Sequence, residues 1–376
     1  MFILSLIEYF LFLPYALPNP NAMKGLMMDF QMTVPTLLRR AETLCANKEI
    51  VTRLPDKSIH RYTYADMAPR SRKFSAAIKA LGVKEGDRVA TLCWNHYQHL
   101  EMYFAIPSMG AVLHTLNLRL SPDDLAYIVN HASDKVIIVD QVLLPLFDKF
   151  KDRIKVEYII VIQNGAQAVP DGCLAYEALL ESANPDSFVP FEGDENTAAA
   201  MCYTSGTTGQ PKGVLYSHRS IVLHSMLSAF TDAMAISEAD VVLPVVPMFH
   251  VNAWGLPFTC TMVGCTQVFP GPHLDPPSLL ELYENEQVTV SAGVPTIWLG
   301  MLNILDANPG KYNLKSLRCM LVGGSAAPRS MIVGFQERHG LRVLHAWGMT
   351  ETSPLGSICG LTSELRKAAP EIQYNY

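Results

Sequence analysis

The sequence predicts a layered α/β fold, and two stretches predict it. From Tyr62 to Ile162, β-prone runs alternate with helix-like segments, the rhythm of strands covered by helices. Further on, the small apolar run from Ala198 to Tyr203 reads as a buried strand, and Ser217 is placed to cap a helix carrying Ile221, Leu223 and Met226. The residues between, Tyr203 to Val214, read YTSGTTGQPKGV and form the turn from that strand toward that helix.

Taken in order, the chain opens with an apolar stretch, Phe2 to Leu13. Glu8 interrupts it, no Lys or Arg precedes Lys24, and it is shorter than the ~20 residues of a spanning helix. It predicts no transmembrane span and at most a weak membrane-surface contact. Strands are expected over Arg88–Cys93, Ala111–Leu116, Lys135–Asp140 and Val156–Ile162. Ser121, followed by Pro122, Asp123 and Asp124, starts a helix whose apolar stripe is Leu125, Ile128 and Val129, ahead of His131. The polar, proline-bearing interval Glu181–Glu195 is the best subdomain boundary. This divides the chain into an apolar extension at 1–22, a first α/β subdomain at 23–190 and a second at 191–376. There is no internal repeat.

With 376 residues, 49% of them hydrophobic, the chain can bury a large core, and a net charge of −6 without a basic patch argues against nucleic acid. Eight cysteines are scattered with no C-x-x-C pair, and Cys93 and Cys202 lie in apolar runs where a reduced thiol packs as a small hydrophobe. A reducing cytoplasm is the compartment this implies.

The YTSGTTGQPKGV run has the chemistry of a phosphate grip. Gly206, Gly209 and Gly213 let successive amides face one anion, Thr204, Ser205, Thr207 and Thr208 add hydroxyls, and Lys212 adds a point charge. It is not a Walker A loop, because the G-x-x-x-x-G-K-[ST] spacing fails and Pro211 precedes Lys212. A plain Gly/Ser/Thr linker is the bland reading, but linkers seldom join a buried strand to a lysine-glycine ending.

This run resembles the signature of the AMP-forming adenylating enzymes, which comprise acyl-CoA synthetases, luciferases and peptide-synthetase adenylation domains. Three more stretches match in order: PMFHVNAWG at Pro247–Gly255, VGGSAAP at Val322–Pro328 and HAWGMTETSP at His345–Pro354. SAGVPTIW at Ser291–Trp298 and MKGLMMDF at Met23–Phe30 bring the wording nearest to bacterial medium- and long-chain fatty acyl-CoA ligases, so that residues 23–376 are covered. The implied fold is the large N-terminal domain of the adenylate-forming architecture. The implied reaction joins a fatty acid to ATP as acyl-AMP, then transfers the acyl group to coenzyme A.

The resemblance also assigns residues. Thr204 and Glu351 would hold magnesium, with Lys212 on the phosphates. The nucleotide would meet Thr204, Ser205, Gly206, Thr207, Thr208, Gly209 and Lys212, then Gly324, Ser325 and Ala326, then His345, Ala346, Trp347, Gly348, Met349 and Thr350. Adenine is expected between the Gly324 segment and the flat face of Trp347, with Thr350 at the α-phosphate. Trp254 is the gate of an acyl tunnel, with Val251 beside it, and His250 positions rather than catalyses, since an ionised carboxylate has no proton to give up. Val294, Pro295 and Trp298 either line the acyl pocket or pack as core.

The departure from the pattern is at the C-terminus. The chain ends at Tyr376 soon after Pro354, before the family's ribose-binding aspartate, hinge and small C-terminal domain. The expectation is an incomplete domain with little or no ligase activity alone, an exposed sheet edge and poor solubility. An aryl- or amino-acid-activating adenylation domain and a non-catalytic nucleotide- or acyl-binding fragment are the alternatives. The resemblance leaves room for a homodimer.

Overall fold

The computed structural model describes residues 23, 25–163, 165, 168–204 and 209–375. Contacts divide the chain into a short unit ending at Gln31 and a large unit from Met32 onward. In the short unit the described residues form no helix or strand, and Leu26, Met27 and Met28 are exposed. The apolar run Phe2–Leu13 lies outside the described residues, and no described helix is long and apolar enough to cross a membrane.

The large unit begins with the helix Val34–Leu44, and its first strands form a hairpin, β1 (Glu49–Arg53) and β2 (Ile59–Thr63). Next come β3 (Arg88–Leu92), β4 (Val112–Thr115), β5 (Asp134–Asp140), β6 (Tyr158–Ile162), β7 (Leu174–Ala175), β8 (Ala198–Thr204) and β9 (Lys212–Ser217). The last are β10 (Val241–Pro244), β11 (Thr266–Phe269), β12 (Val290–Gly293), β13 (Cys319–Val322), β14 (Val343–Gly348) and β15 (Leu355–Ile358). They build a first sheet in the order β7-β6-β5-β3-β4-β8-β9 and a second in the order β15-β14-β13-β12-β10-β11-β1-β2.

The period-2 alternation of strand side chains sorts the core into layers. Val89, Leu113 and Val136 of the first sheet share one apolar cluster with Val242, Ala292 and Leu321 of the second and with the helices Val34–Leu44, Tyr64–Ala80 and Tyr97–Ser108. Their neighbours Ala90, Val112 and Ile137 face the opposite way, onto the helix Pro122–Ala132. Leu243, Val268 and Met320 do the same on the second sheet, against helices Pro276–Asn285 and Pro295–Ala307. The result is helix, sheet, helix, sheet, helix, as the alternating pattern predicts.

Each of the four strands expected between residues 88 and 162 is present, shifted by no more than two residues at an end. The helix predicted after Ser121 runs Pro122–Ala132, its cap made by the Ser121 hydroxyl accepting from the Asp124 amide at 3.1 Å, and Leu125, Ile128 and Val129 are buried.

Each sheet takes strands from both sides of 190/191: β1 and β2 join the second sheet, β1 pairing with β11, whereas β8 and β9 close the edge of the first. The interval before the glycine-rich run is packed, with the Phe191 ring stacked on His218 at 5.0 Å and its amide bonded to the Ser108 carbonyl. Two local readings are corrected, that of the glycine-rich run and that of the buried face of the helix after it. The glycine-rich run itself is a strand-to-strand hairpin, because Lys212–Ser217 pairs antiparallel with β8 before the helix His218–Ala229 begins. That helix does start at the Ser217 cap, but it buries Ile221, Val222, Ser225 and Ser228, leaving Leu223 half-buried and Met226 exposed. Leu223 and Met226, three apart, share the opposite face.

Candidate active site

The β8–β9 hairpin sets the first wall. Thr204 ends β8 at the carboxyl edge of the first sheet and pairs across the ladder with Lys212, which opens β9. Ser205, Gly206, Thr207 and Thr208 lie outside the described residues. Gly209 has φ +148°, a region essentially reserved for glycine. Gly213 lets β9 lie close over β8, since a Cβ there would stand 3.2 Å from the Tyr203 ring.

The second wall is the segment after β10, and the first sheet's side of the core places it. Asn95, just past β3, donates to the carbonyls of Pro244 and Val246 at 3.1 and 2.9 Å and accepts from the Met248 amide at 2.7 Å. The Tyr103 hydroxyl donates to the Met248 carbonyl at 2.5 Å. The chain then enters a left-handed turn: Val251, Asn252, Ala253 and Trp254 have φ between 49° and 55°, and Gly255 follows at 73°. Each non-glycine residue there costs roughly 1–2 kcal/mol, so the surroundings over-determine the turn. Val251, Asn252 and Ala253 are buried, and the Ala253 amide donates to the Pro247 carbonyl at 3.1 Å.

The third wall comes from the second sheet. The Trp254 indole lies against the backbone after β13, where a Cβ on Gly323 would come within 3.0 Å of its ring, and Gly324 takes φ +80° beside Val294. At the end of β14, a Cβ on Gly348 would collide with the Pro354 carbonyl, so only glycine lets the chain fold back there.

The second and third walls enclose a cleft of about 180 Å³ lined by His250, Val251, Trp254, Gly323, Gly324 and the run Ala346–Thr350, and no described residue of the hairpin is part of its lining. Three motifs that are up to a hundred residues apart in sequence therefore meet at one place. Trp347 is 46% exposed, with its ring against Gly356. His250 opens onto the cleft, and its pKa is lowered by desolvation, with the Arg119 charge adding to the effect. Thr350 is buried, and its carbonyl accepts from the Tyr216 hydroxyl at 2.6 Å. The turn Thr350–Thr352 packs against β8, the strand that Thr204 ends. Lys212 and Glu351 are both exposed, and neither has an ion pair among the described residues.

Some assigned residues fall outside the cleft. Ser325 and Ala326 are exposed next to it, and His345 is half-buried within β14, its carbonyl accepting from the Cys359 amide. For Trp298 the core alternative holds: it is fully buried and donates from Nε1 to the Leu321 carbonyl at 3.3 Å. Pro295 is buried at the start of its helix, and Val294 is half-buried at the Gly324 rim. Ser228, Met234 and Leu355 line the cleft without belonging to any motif, and nothing in their local sequence marks them. Asn95, Tyr103 and Tyr216 were also missed, although a polar residue just past a strand's carboxyl end, as Asn95 is, was a readable signal.

Two donor sets bear on metal binding. Cys93, His96 and Asp140 bring ligand atoms within 4.8 Å, yet His96 Nδ1 accepts from the His99 amide and Nε2 bonds Asp140 at 2.8 Å. Nδ1 caps the helix Tyr97–Ser108 and Nε2 is taken by Asp140, so coordination by either nitrogen would break one of these bonds. Thr204 and Glu351, by contrast, make no side-chain hydrogen bond or ion pair among the described residues.

A family model described as AMP-binding enzyme matches residues 37–373. A long-chain-fatty-acid–CoA ligase of Thermus thermophilus is 52% identical over 337 residues, 89% of this chain and 60% of that protein. A medium-chain-fatty-acid–CoA ligase of Ectopseudomonas oleovorans is 42% identical over 339 residues, 89% of this chain and 62% of that one. Among solved structures, an anthranilate CoA ligase in complex with anthranoyl-AMP superposes with a TM-score of 0.79 at 24% identity, over 89% of this chain and 63% of that one. The chain thus spans about three fifths of the length of these curated relatives.

Proposed function

This chain belongs to the AMP-binding enzyme family, and we propose that it carries the nucleotide- and acyl-binding part of an ATP-dependent fatty acyl-CoA ligase. The observation that carries this reading is the convergence of the Pro247–Gly255, Val322–Pro328 and His345–Pro354 segments on one cleft beside the Thr204–Lys212 hairpin. The relatives named as long- and medium-chain fatty acid ligases supply the substrate class.

In the first half-reaction a carboxylate oxygen attacks the α-phosphorus of ATP, and the bond to the β-phosphate oxygen breaks, giving acyl-AMP and pyrophosphate. Negative charge shifts onto the leaving oxygens, so fixed cations and N–H donors lower the barrier by being in place beforehand. Lys212 and the amides of residues 205–209 meet the phosphates. Trp347 supplies a face for adenine while Gly323 and Gly324 permit close backbone approach. Thr350 stands at the α-phosphate. His250, kept neutral by its surroundings, orients the carboxylate without removing a proton. Trp254 closes the acyl side. Thr204 and Glu351 would hold magnesium, which when bound neutralises charge on the phosphates. The second half-reaction exchanges AMP for the thiol of coenzyme A.

Magnesium, coenzyme A and a homodimeric state rest on the family resemblance. The eight free cysteines, five of them buried, are in keeping with a reducing cytoplasm. The test is ATP–pyrophosphate exchange and acyl-CoA formation with octanoate and palmitate, the gene's full product being measured alongside this chain. Exchange driven by fatty acids supports the reading. Exchange driven only by aryl or amino acids moves the protein to another branch of the family, and nucleotide binding without exchange in either protein makes it a binding module.

A further inference from the structure

The parts assigned to the metal and phosphates come from different sheets: Thr204 and Lys212 from the hairpin of the first, Glu351 from a turn hung on the end of β14 in the second. Something must fix one against the other. The turn is closed internally, the Met349 amide donating to the Pro354 carbonyl at 3.1 Å and to the Thr352 hydroxyl at 2.9 Å. Among the described residues, the hydrogen bond that ties this turn to the first sheet is the one from Tyr216 to the Thr350 carbonyl.

We infer that Tyr216 is a positioning residue that sets the Glu351 carboxylate against the phosphate-loop hairpin. This deepens the ligase reading and rests on it. Tyr216 belongs to β9, four residues beyond Lys212, and its ring is buried, 5% exposed, so the hydroxyl reaches out from a fixed base. Its acceptor is the carbonyl of the peptide group that leads into Glu351. Holding that carbonyl fixes the peptide plane and with it the direction in which the Glu351 side chain leaves the backbone. The bond is buried at both ends, where an unmade partner is costly. Burial raises the Tyr216 pKa, with Cys202 and the Glu351 charge adding to the effect, so the hydroxyl keeps its proton and remains a donor at every working pH.

Tyr216→Phe deletes the donor and keeps the ring. In the full chain, nucleotide binding is followed by tryptophan fluorescence, for AMP without metal and for ATP across a magnesium titration. The expected result is that magnesium tightens ATP binding about tenfold less in the variant, about 1.4 kcal/mol, while AMP affinity stays within about twofold. In a Glu351→Gln background the same change adds nothing further, the non-additivity of two residues acting through one group. Equal weakening of both ligands would assign Tyr216 a merely structural role, and no change in either would dismiss it. If the wild-type chain binds neither nucleotide, the ligase reading falls first and the inference with it. Should the Phe variant unfold, amide exchange in the wild type decides: magnesium-ATP, but not AMP, protects 212–217 and 350–352 together, and protection of either segment alone contradicts the coupling.

Discussion

Charged groups in the scaffold and charged groups at the cleft are handled in opposite ways. Deep between the sheets, Glu101 is fully buried and held by Arg70 Nε at 2.6 Å and the Tyr176 hydroxyl at 2.6 Å, with Glu177 as a second partner of Arg70. His114 and Asp134 pair at 2.8 Å, and Arg318 meets Asp240 at 2.9 Å. At the cleft, Lys212 and Glu351 stand exposed with no ion pair among the described residues. A fold satisfies the charges it buries because an unpaired one is expensive. Charges left unpaired around a cleft cost little in water and stay available to a ligand. Stability and binding should therefore separate by residue.

The sharpest separation is expected at Glu101. Glu101→Ala leaves the buried Tyr176 hydroxyl without its acceptor and takes one of the two carboxylates of Arg70, and should cost about 3 kcal/mol, read as a shift of the urea midpoint, while the protein that stays folded binds nucleotide as before. Next in size is a response to acid. Burial lowers the pKa of both His218 and His224 to about 4, from an ordinary value of 6.5. The unfolded chain therefore takes up these protons first, so stability is intact above about pH 6.5 and falls as pH drops toward about 4. Each histidine accounts for up to about 3 kcal/mol. Urea midpoints across that window should show the fall, and His224→Gln should flatten part of it; a chain that gains stability on acidification would break the comparison. A smaller effect, about 1 kcal/mol, is expected when Ser121→Ala removes the cap of Pro122–Ala132. Smallest for stability, within about 0.5 kcal/mol, are Lys212→Ala and Glu351→Gln, although both should weaken ATP binding at least tenfold.

Much of this was legible in the sequence because local chemistry repeats where local structure does. The strands between Arg88 and Ile162 announce themselves by β-branched runs, and the cap at Ser121 by its Pro-Asp-Asp sequel. The motif residues of the cleft, from His250 to Thr350, were readable through the resemblance of their stretches to the motifs of the family. What sequence could not supply was partnership across distance. Nothing near Glu49 says that β1 will pair with β11, more than two hundred residues away. Lys212–Ser217 was misread as the end of a loop because a short edge strand with half its side chains exposed lacks a strong period-2 signal. Tyr216, Asn95 and Tyr103 escaped notice because their work is done on backbone atoms of distant segments. Trp298 illustrates the converse, a motif residue that the fold spends on its core.

The most direct test is a calorimetric titration of magnesium-ATP into the wild-type chain and into Lys212→Ala, with urea midpoints measured on both. Saturable one-site binding by the wild type, weakened at least tenfold in the variant at an unchanged midpoint, is the predicted result. Equal affinity in the two proteins, or no saturable binding by the wild type, would contradict the assignment of this cleft and its unpaired charges to a nucleotide.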